Sequence, residues 1–156
     1  MSTPVSTHQE GRALTERQTF SRTTTIRQLI QAEPAVIWSL LTRAADYPRW
    51  NSTVISIEGE ISPGSSIKLK STLAPERTFA LKVKTMMAPA RLSWGDAMGT
   101  RTYSLESAPQ GTLFTMTEKI GGPIFPLFAS QIPSFDASFE QFTADLKRAA
   151  ESSTHA

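Results

Sequence analysis

The chain has 156 residues, 39% hydrophobic and 19% charged, with a net charge of +2. This suits one domain with enough apolar material for a core, and it argues against wholesale disorder and gives no electrostatic footprint for nucleic acid. Cysteine is absent, which excludes disulfides, thiolate catalysis and cysteine-based zinc sites. No apolar run is long enough to span a membrane, and MSTPVSTHQEGRALTERQTF lacks the basic-then-apolar pattern of a secretory signal. A cytoplasmic protein is therefore expected.

Residues 1–18 are polar, without an apolar period, and read as a disordered tail. The domain is expected over 19–150, and 151–156 reads as a second tail. FSRTTTIRQLIQA (20–32) reads as a strand from its threonines and isoleucines. Pro34 suits the first turn of a helix, where its missing N–H costs nothing. Ile37, Leu40, Leu41 and Ala44 then follow at helical spacing. DYPRW (46–50) is a second short helical turn.

From 53 to 120 the apolar period becomes two. Strands are expected at 54–61, 67–73, 79–86, 91–94, 101–106 and 112–120, joined by SPGS, the Gly95–Gly99 turn and APQG. Short connections imply an antiparallel arrangement, and one apolar face per strand implies a sheet covered on one side. Lys68, Lys70, Lys82 and Lys84 fall on the opposite, solvated face. GGPIFPLFASQIPSF (121–135) has no charged residue, and its prolines at 123, 126 and 133 forbid one continuous helix. In SFDASFEQFTADLKRAA (134–150), Phe135, Phe139, Phe142, Leu146 and Ala149 form one helical stripe. The order is strand, two short helices, six strands and a long helix. The fold class is α+β, with a seven-stranded antiparallel sheet wrapped around the C-terminal helix.

EPAVIWSLLTRAADYPRWN (33–51), GTRTYSLE (99–106), GTLFTMTEKIGGP (111–123) and FDASFEQFTADLK (135–147) together carry a resemblance. The chain resembles the helix-grip, START-like superfamily (SRPBCC), and within it the polyketide cyclase/dehydrase-like group. The resemblance covers roughly residues 20–150. It implies a deep cavity between sheet and long helix, with residues 121–135 as its apolar wall or lid. A small hydrophobic molecule is the expected partner; no cofactor or metal is expected, since the sequence has no cysteine and no nucleotide-binding loop. Shared fold leaves the function open.

His8 and His155 both fall in the expected tails, so neither serves as a fixed base or a metal ligand. If APQG closes a hairpin, Ser107 faces Thr112 and the pairing runs on to Arg101 opposite Glu118, on the apolar face with Tyr103, Leu105, Phe114 and Met116. Such a pair could anchor a polar or acidic group on an apolar ligand. Equally, it could be an ion pair at the rim, worth under about 1 kcal/mol. Arg101 weakens an acid–base reading because a guanidinium keeps its proton. Glu118 is the one candidate catalytic residue, for a cyclase/dehydratase-like lyase needing neither metal nor cofactor. The candidate ligand-binding residues are Trp50, Phe79, Trp94, Arg101, Tyr103, Phe114, Met116, Glu118, Phe125, Phe128 and Phe135. For Phe79 and Trp94, core packing is the default reading. The remaining alternative is a cochaperone-like interaction module using the lysine face.

Overall fold

The computed structural model describes residues 9–154. Eight strands form one antiparallel sheet, in the order β1-β2-β8-β7-β6-β5-β4-β3. They are β1 Leu14–Arg17, β2 Ser21–Ile30, β3 Val54–Glu58, β4 Ser66–Ser71, β5 Phe79–Met87, β6 Arg91–Gly95, β7 Gly99–Ala108 and β8 Gly111–Gly121. The helices are α1 Pro34–Thr42, α2 Tyr47–Trp50, α3 Phe125–Phe128 and α4 Asp136–Thr154. The six strands of the meander are present, and so is the long helix.

The sheet has eight strands rather than seven. The addition, β1, lies inside the stretch expected to be a tail. Four residues, three of them polar and with no apolar period, carry no sequence signal for a strand, yet β1 pairs along β2 from Leu14–Thr25 to Arg17–Arg22. It is fastened by contacts distant in sequence. The Thr15 hydroxyl hydrogen-bonds to Thr24 and donates to Asp136 of α4, and the Ala13 N–H donates to Glu140 at 3.0 Å. At the other end, α4 runs to Thr154, so residues 151–154 are helical rather than a tail. His8 and His155 lie outside the described residues.

Helix α1 starts at Pro34 and buries Ile37 and Leu41. A 3-10 turn at Ala44–Asp46 leads into α2. There Tyr47 is buried and donates its hydroxyl proton to the Leu41 carbonyl at 2.7 Å. These short helices carry the chain from β2 to β3 at the far edge of the sheet. Helix α4 then lies along the apolar face, burying Phe135, Phe139, Phe142 and Leu146. The last place in that stripe belongs to Ala150 rather than Ala149, which is half-buried. Each phenylalanine removed from water stabilises the fold by about 1.5–3 kcal/mol.

The segment 121–135 is more regular than its prolines suggest. Gly122, with φ of 144°, turns the chain off β8. Pro126 then occupies the first turn of α3, and a 3-10 turn follows at Ala129–Gln131. The one-turn helix is a fourth helix where three were expected. It buries Phe125 and leaves Ile124 and Leu127 in water.

Candidate functional site under the long helix

The hairpin register places the site. β7 and β8 pair as Ser107–Thr112, Leu105–Phe114, Tyr103–Met116 and Arg101–Glu118. Each step of two keeps the same face, so all four pairs lie on the face that α4 covers. The row through Arg101 and Glu118 continues across the sheet. Thr15 pairs with Thr24, Thr24 with Glu118, Glu118 with Arg101, Arg101 with Trp94, and Trp94 with Val83. Polar groups occupy its β1 end and apolar ones its β5 end.

Arg101 donates from Nε to Glu118 Oε1 at 2.7 Å, with side chains 18% and 19% exposed. The pair is half-buried rather than a rim pair standing in water. The guanidinium lies 5.1 Å from the Phe139 ring centroid and 5.9 Å from that of Phe142, so α4 forms its roof. Burial alone would weaken the charge on Arg101. The neighbouring Glu118 carboxylate and Tyr103 more than offset this, and the guanidinium holds its proton more tightly than usual. It is a fixed positive charge and cannot act as an acid.

Rings fill the space beyond the pair. Trp94 meets Tyr103 at 5.3 Å, and Tyr103 stacks on Phe142 at 5.8 Å and on Phe114 at 6.2 Å. Tyr47 meets Trp50 at 5.0 Å and Trp94 at 6.5 Å, and Trp50 lies against Phe142 at 5.7 Å. These rings pack against one another in the region where the resemblance implies a cavity. Two open cavities, of about 570 and 430 Å³, lie elsewhere: one flanks α4 near Gln28, the other lies beside Phe20 and Lys119.

Two polar atoms in this ring cluster are buried without a well-formed hydrogen bond among the described residues: Trp50 Nε1, and the Tyr103 hydroxyl, whose polar neighbours are Arg101 and Tyr47. Leaving a buried donor unsatisfied costs about 1–3 kcal/mol. Burial raises the pKa of Tyr103 despite the opposing pull of Arg101, and burial raises that of Tyr47 too. Both phenols are neutral donors at physiological pH. A fixed cation and a buried hydroxyl thus stand beside one another, suited to an acceptor oxygen or an anion.

The candidate residues fall into three groups. Trp50, Trp94, Arg101, Tyr103, Phe114, Met116 and Glu118 share the inner face or its roof; Trp94, Tyr103, Phe114 and Met116 are buried. Phe125, Phe128 and Phe135 gather at the end of the sheet where α4 begins. Phe125 packs on Phe128 at 5.8 Å beneath the Arg17 guanidinium, and Phe135 stacks on Phe139 beneath that of Arg22. Phe79 stands apart: it pairs with Leu69 and carries Arg77 over its face at 4.6 Å.

Sequence reasoning missed Arg22, Thr24 and Tyr47. Thr24 is buried opposite Glu118. Arg22 donates to the carbonyls of Ile132 and Pro133, tying the segment before α4 to β2. Both fall on the inner face by the alternation along β2, a period too weak to stand out in the sequence. Tyr47 carried no periodic signal, because its burial depends on the α1–α2 corner.

Residues 19–151 match the family described as polyketide cyclase / dehydrase and lipid transport, and the chain belongs to that family. No curated protein matches by sequence. Among solved structures, the fold is similar to EF2215 from Enterococcus faecalis, a conserved protein of unknown function. The identity is 19%, the TM-score 0.66, and 92% of this chain and 80% of that one are covered. It is similar to DynU16, from the dynemicin biosynthetic locus, at 15% identity and TM-score 0.66, over 84% of this chain and 48% of that one. An AHSA1-like protein from Aeromonas hydrophila matches at 18% identity and TM-score 0.60, over 85% and 94%. At these identities the likeness concerns the fold alone.

Proposed function

We propose that this member of the polyketide cyclase / dehydrase and lipid transport family binds a small, largely apolar molecule between the sheet and α4. Arg101 anchors an acidic or other polar group on that molecule. The observation that carries the reading is the half-buried Arg101–Glu118 pair beside the buried Tyr103 hydroxyl, which has no well-formed hydrogen bond. An acceptor oxygen on the ligand accepts a hydrogen bond from the Tyr103 hydroxyl and faces the guanidinium. The rings of Trp50, Tyr103 and Phe142 supply the apolar contact, and they shift to admit the ligand. The family's own description, with both polyketide and lipid in it, fits such a ligand.

A second reading makes the same site a cyclase/dehydratase-like lyase, with Glu118 as the base that removes a proton beside a carbonyl held by Tyr103 and Arg101. The place of Glu118 on the inner face, in the row that carries Tyr103's neighbour Arg101, favours it. The packed interior speaks for a third, a cochaperone-like interaction module using the lysine face.

Native mass spectrometry of freshly purified protein identifies a co-purifying molecule, and binding of that molecule is then measured by calorimetry. Arg101→Met weakens a ligand with a polar group by about 1.5–3 kcal/mol, the range for a charge-assisted hydrogen bond, and hardly affects an apolar probe of the same size. Glu118→Gln retains most of the affinity in a carrier. In an enzyme it retains binding but loses about 10²-fold or more in turnover. If no small molecule binds, and neither variant differs from wild type, the interaction module is the correct reading.

A further inference from the structure

We propose that the end of the domain carrying α3 docks on an anionic lipid surface. Four large apolar side chains stand in water at this end: Leu127 (81% exposed), Ile124 (62%), Phe20 (57%) and Met98 (42%). They are distant in sequence, but the backbone brings Phe20 and Met98 to the start of the segment that carries Ile124 and Leu127. The Gly122 N–H donates to the Phe20 carbonyl at 3.0 Å, and that of Gly121 to Met98 at 2.9 Å. Phe20 and Met98 also flank the 430 Å³ cavity together with Lys84 and Lys119.

Charge selects the occupant. Lys119 and Arg17 are exposed, the Arg17 guanidinium lies over the buried Phe125 beneath the lid, and Lys84 reaches Thr100 at 2.7 Å. Three acids are close in the chain, and Glu118, beside Lys119, is turned inward onto Arg101. Asp96 is engaged through Oδ1 with the N–H groups of Met98 and Gly99, and Glu16 adjoins Arg17 on β1. Apolar tips framed by cations match an anionic headgroup layer over hydrocarbon. A second copy fits poorly. A two-fold contact centred here would set each cation near its own counterpart, and four side chains fall far short of the roughly 20–30 residues per side of a stable interface. The backbone is suited to a wet–dry boundary. Pro123 and Pro126 have no N–H, and those of Phe125 and Leu127 donate within the segment.

The test is sedimentation of the full chain with vesicles of phosphatidylcholine mixed with phosphatidylglycerol, and with vesicles of phosphatidylcholine alone. Wild type binds the mixed vesicles, and more weakly at high salt. The double variant Ile124→Ser, Leu127→Ser removes only exposed side chains, so its thermal melt is unchanged, while its vesicle affinity falls about 10-fold or more. Lys84→Gln with Lys119→Gln lowers binding to mixed vesicles and leaves the melt unchanged. The proposal is overturned if wild type binds neither vesicle, binds both equally, or binds as well after the Ile124 and Leu127 changes. A concentration-dependent dimer abolished by the same double variant would assign the patch to a second copy instead.

Discussion

The Arg101–Glu118 pair can be weighed by a double-mutant cycle. Arg101→Met keeps the length of the side chain but removes its charge, its 2.7 Å hydrogen bond and its place over the Phe139 ring. The hydrogen bond is worth about 1.5–3 kcal/mol with charged partners, and the ring contact about 0.5–2 kcal/mol. Side chains nearly a fifth exposed admit some water, so the lower half of each range applies, and the single change costs about 2–3 kcal/mol. Glu118→Gln still accepts from Arg101 and loses only the charge, costing about 1–2 kcal/mol. The double variant falls short of the sum by a coupling of about 1–2 kcal/mol. Chemical denaturation of the four proteins measures each value. Because a domain of this size shifts by about 2–4 °C per kcal/mol, Arg101→Met also lowers the melting temperature by roughly 4–12 °C. Additivity within about 0.5 kcal/mol would show that the two charges do not interact, and would remove the basis for an anchoring role.

Deleting residues 1–17 removes β1 and with it the ties from Thr15 and Ala13 to α4. Two or three hydrogen bonds of about 0.5–1.5 kcal/mol each predict a loss of several degrees in the melt, and an unchanged melt would show that the strand is not fastened. Acid sensitivity centres on Asp145. Burial tends to raise its pKa, but the Ser52 N–H and hydroxyl, Gln141 and Arg148 outweigh this and hold it below the ordinary value. A depressed folded pKa contributes stability that is present above the unfolded value of about 3.9 and is lost as pH falls through the folded one. Asp145→Asn therefore lowers stability near neutrality and flattens its decline in acid, as urea midpoints across that range would show; an undiminished decline would place the acid sensitivity elsewhere.

Period-two alternation from Ile67 to Met116 was enough to read the meander, and the APQG turn was enough to set Arg101 opposite Glu118. Both depend on local rules: side chains alternate along a strand, and a tight turn leaves little choice of register. The four-residue β1 has no such rule to follow. It exists because Thr15 and Ala13 find partners more than a hundred residues away on α4, which no window of sequence contains. The same holds at the site. Composition along β7 and β8 announced an apolar face with one charged pair. Whether that face encloses a void or a packed cluster was decided by Tyr47 and Trp50, swung over it by the α1–α2 corner, and by Phe142 from above. Periodicity specifies which side of each element is apolar. The distance between two such sides, and hence whether rings meet between them, follows only from the packing of the whole chain.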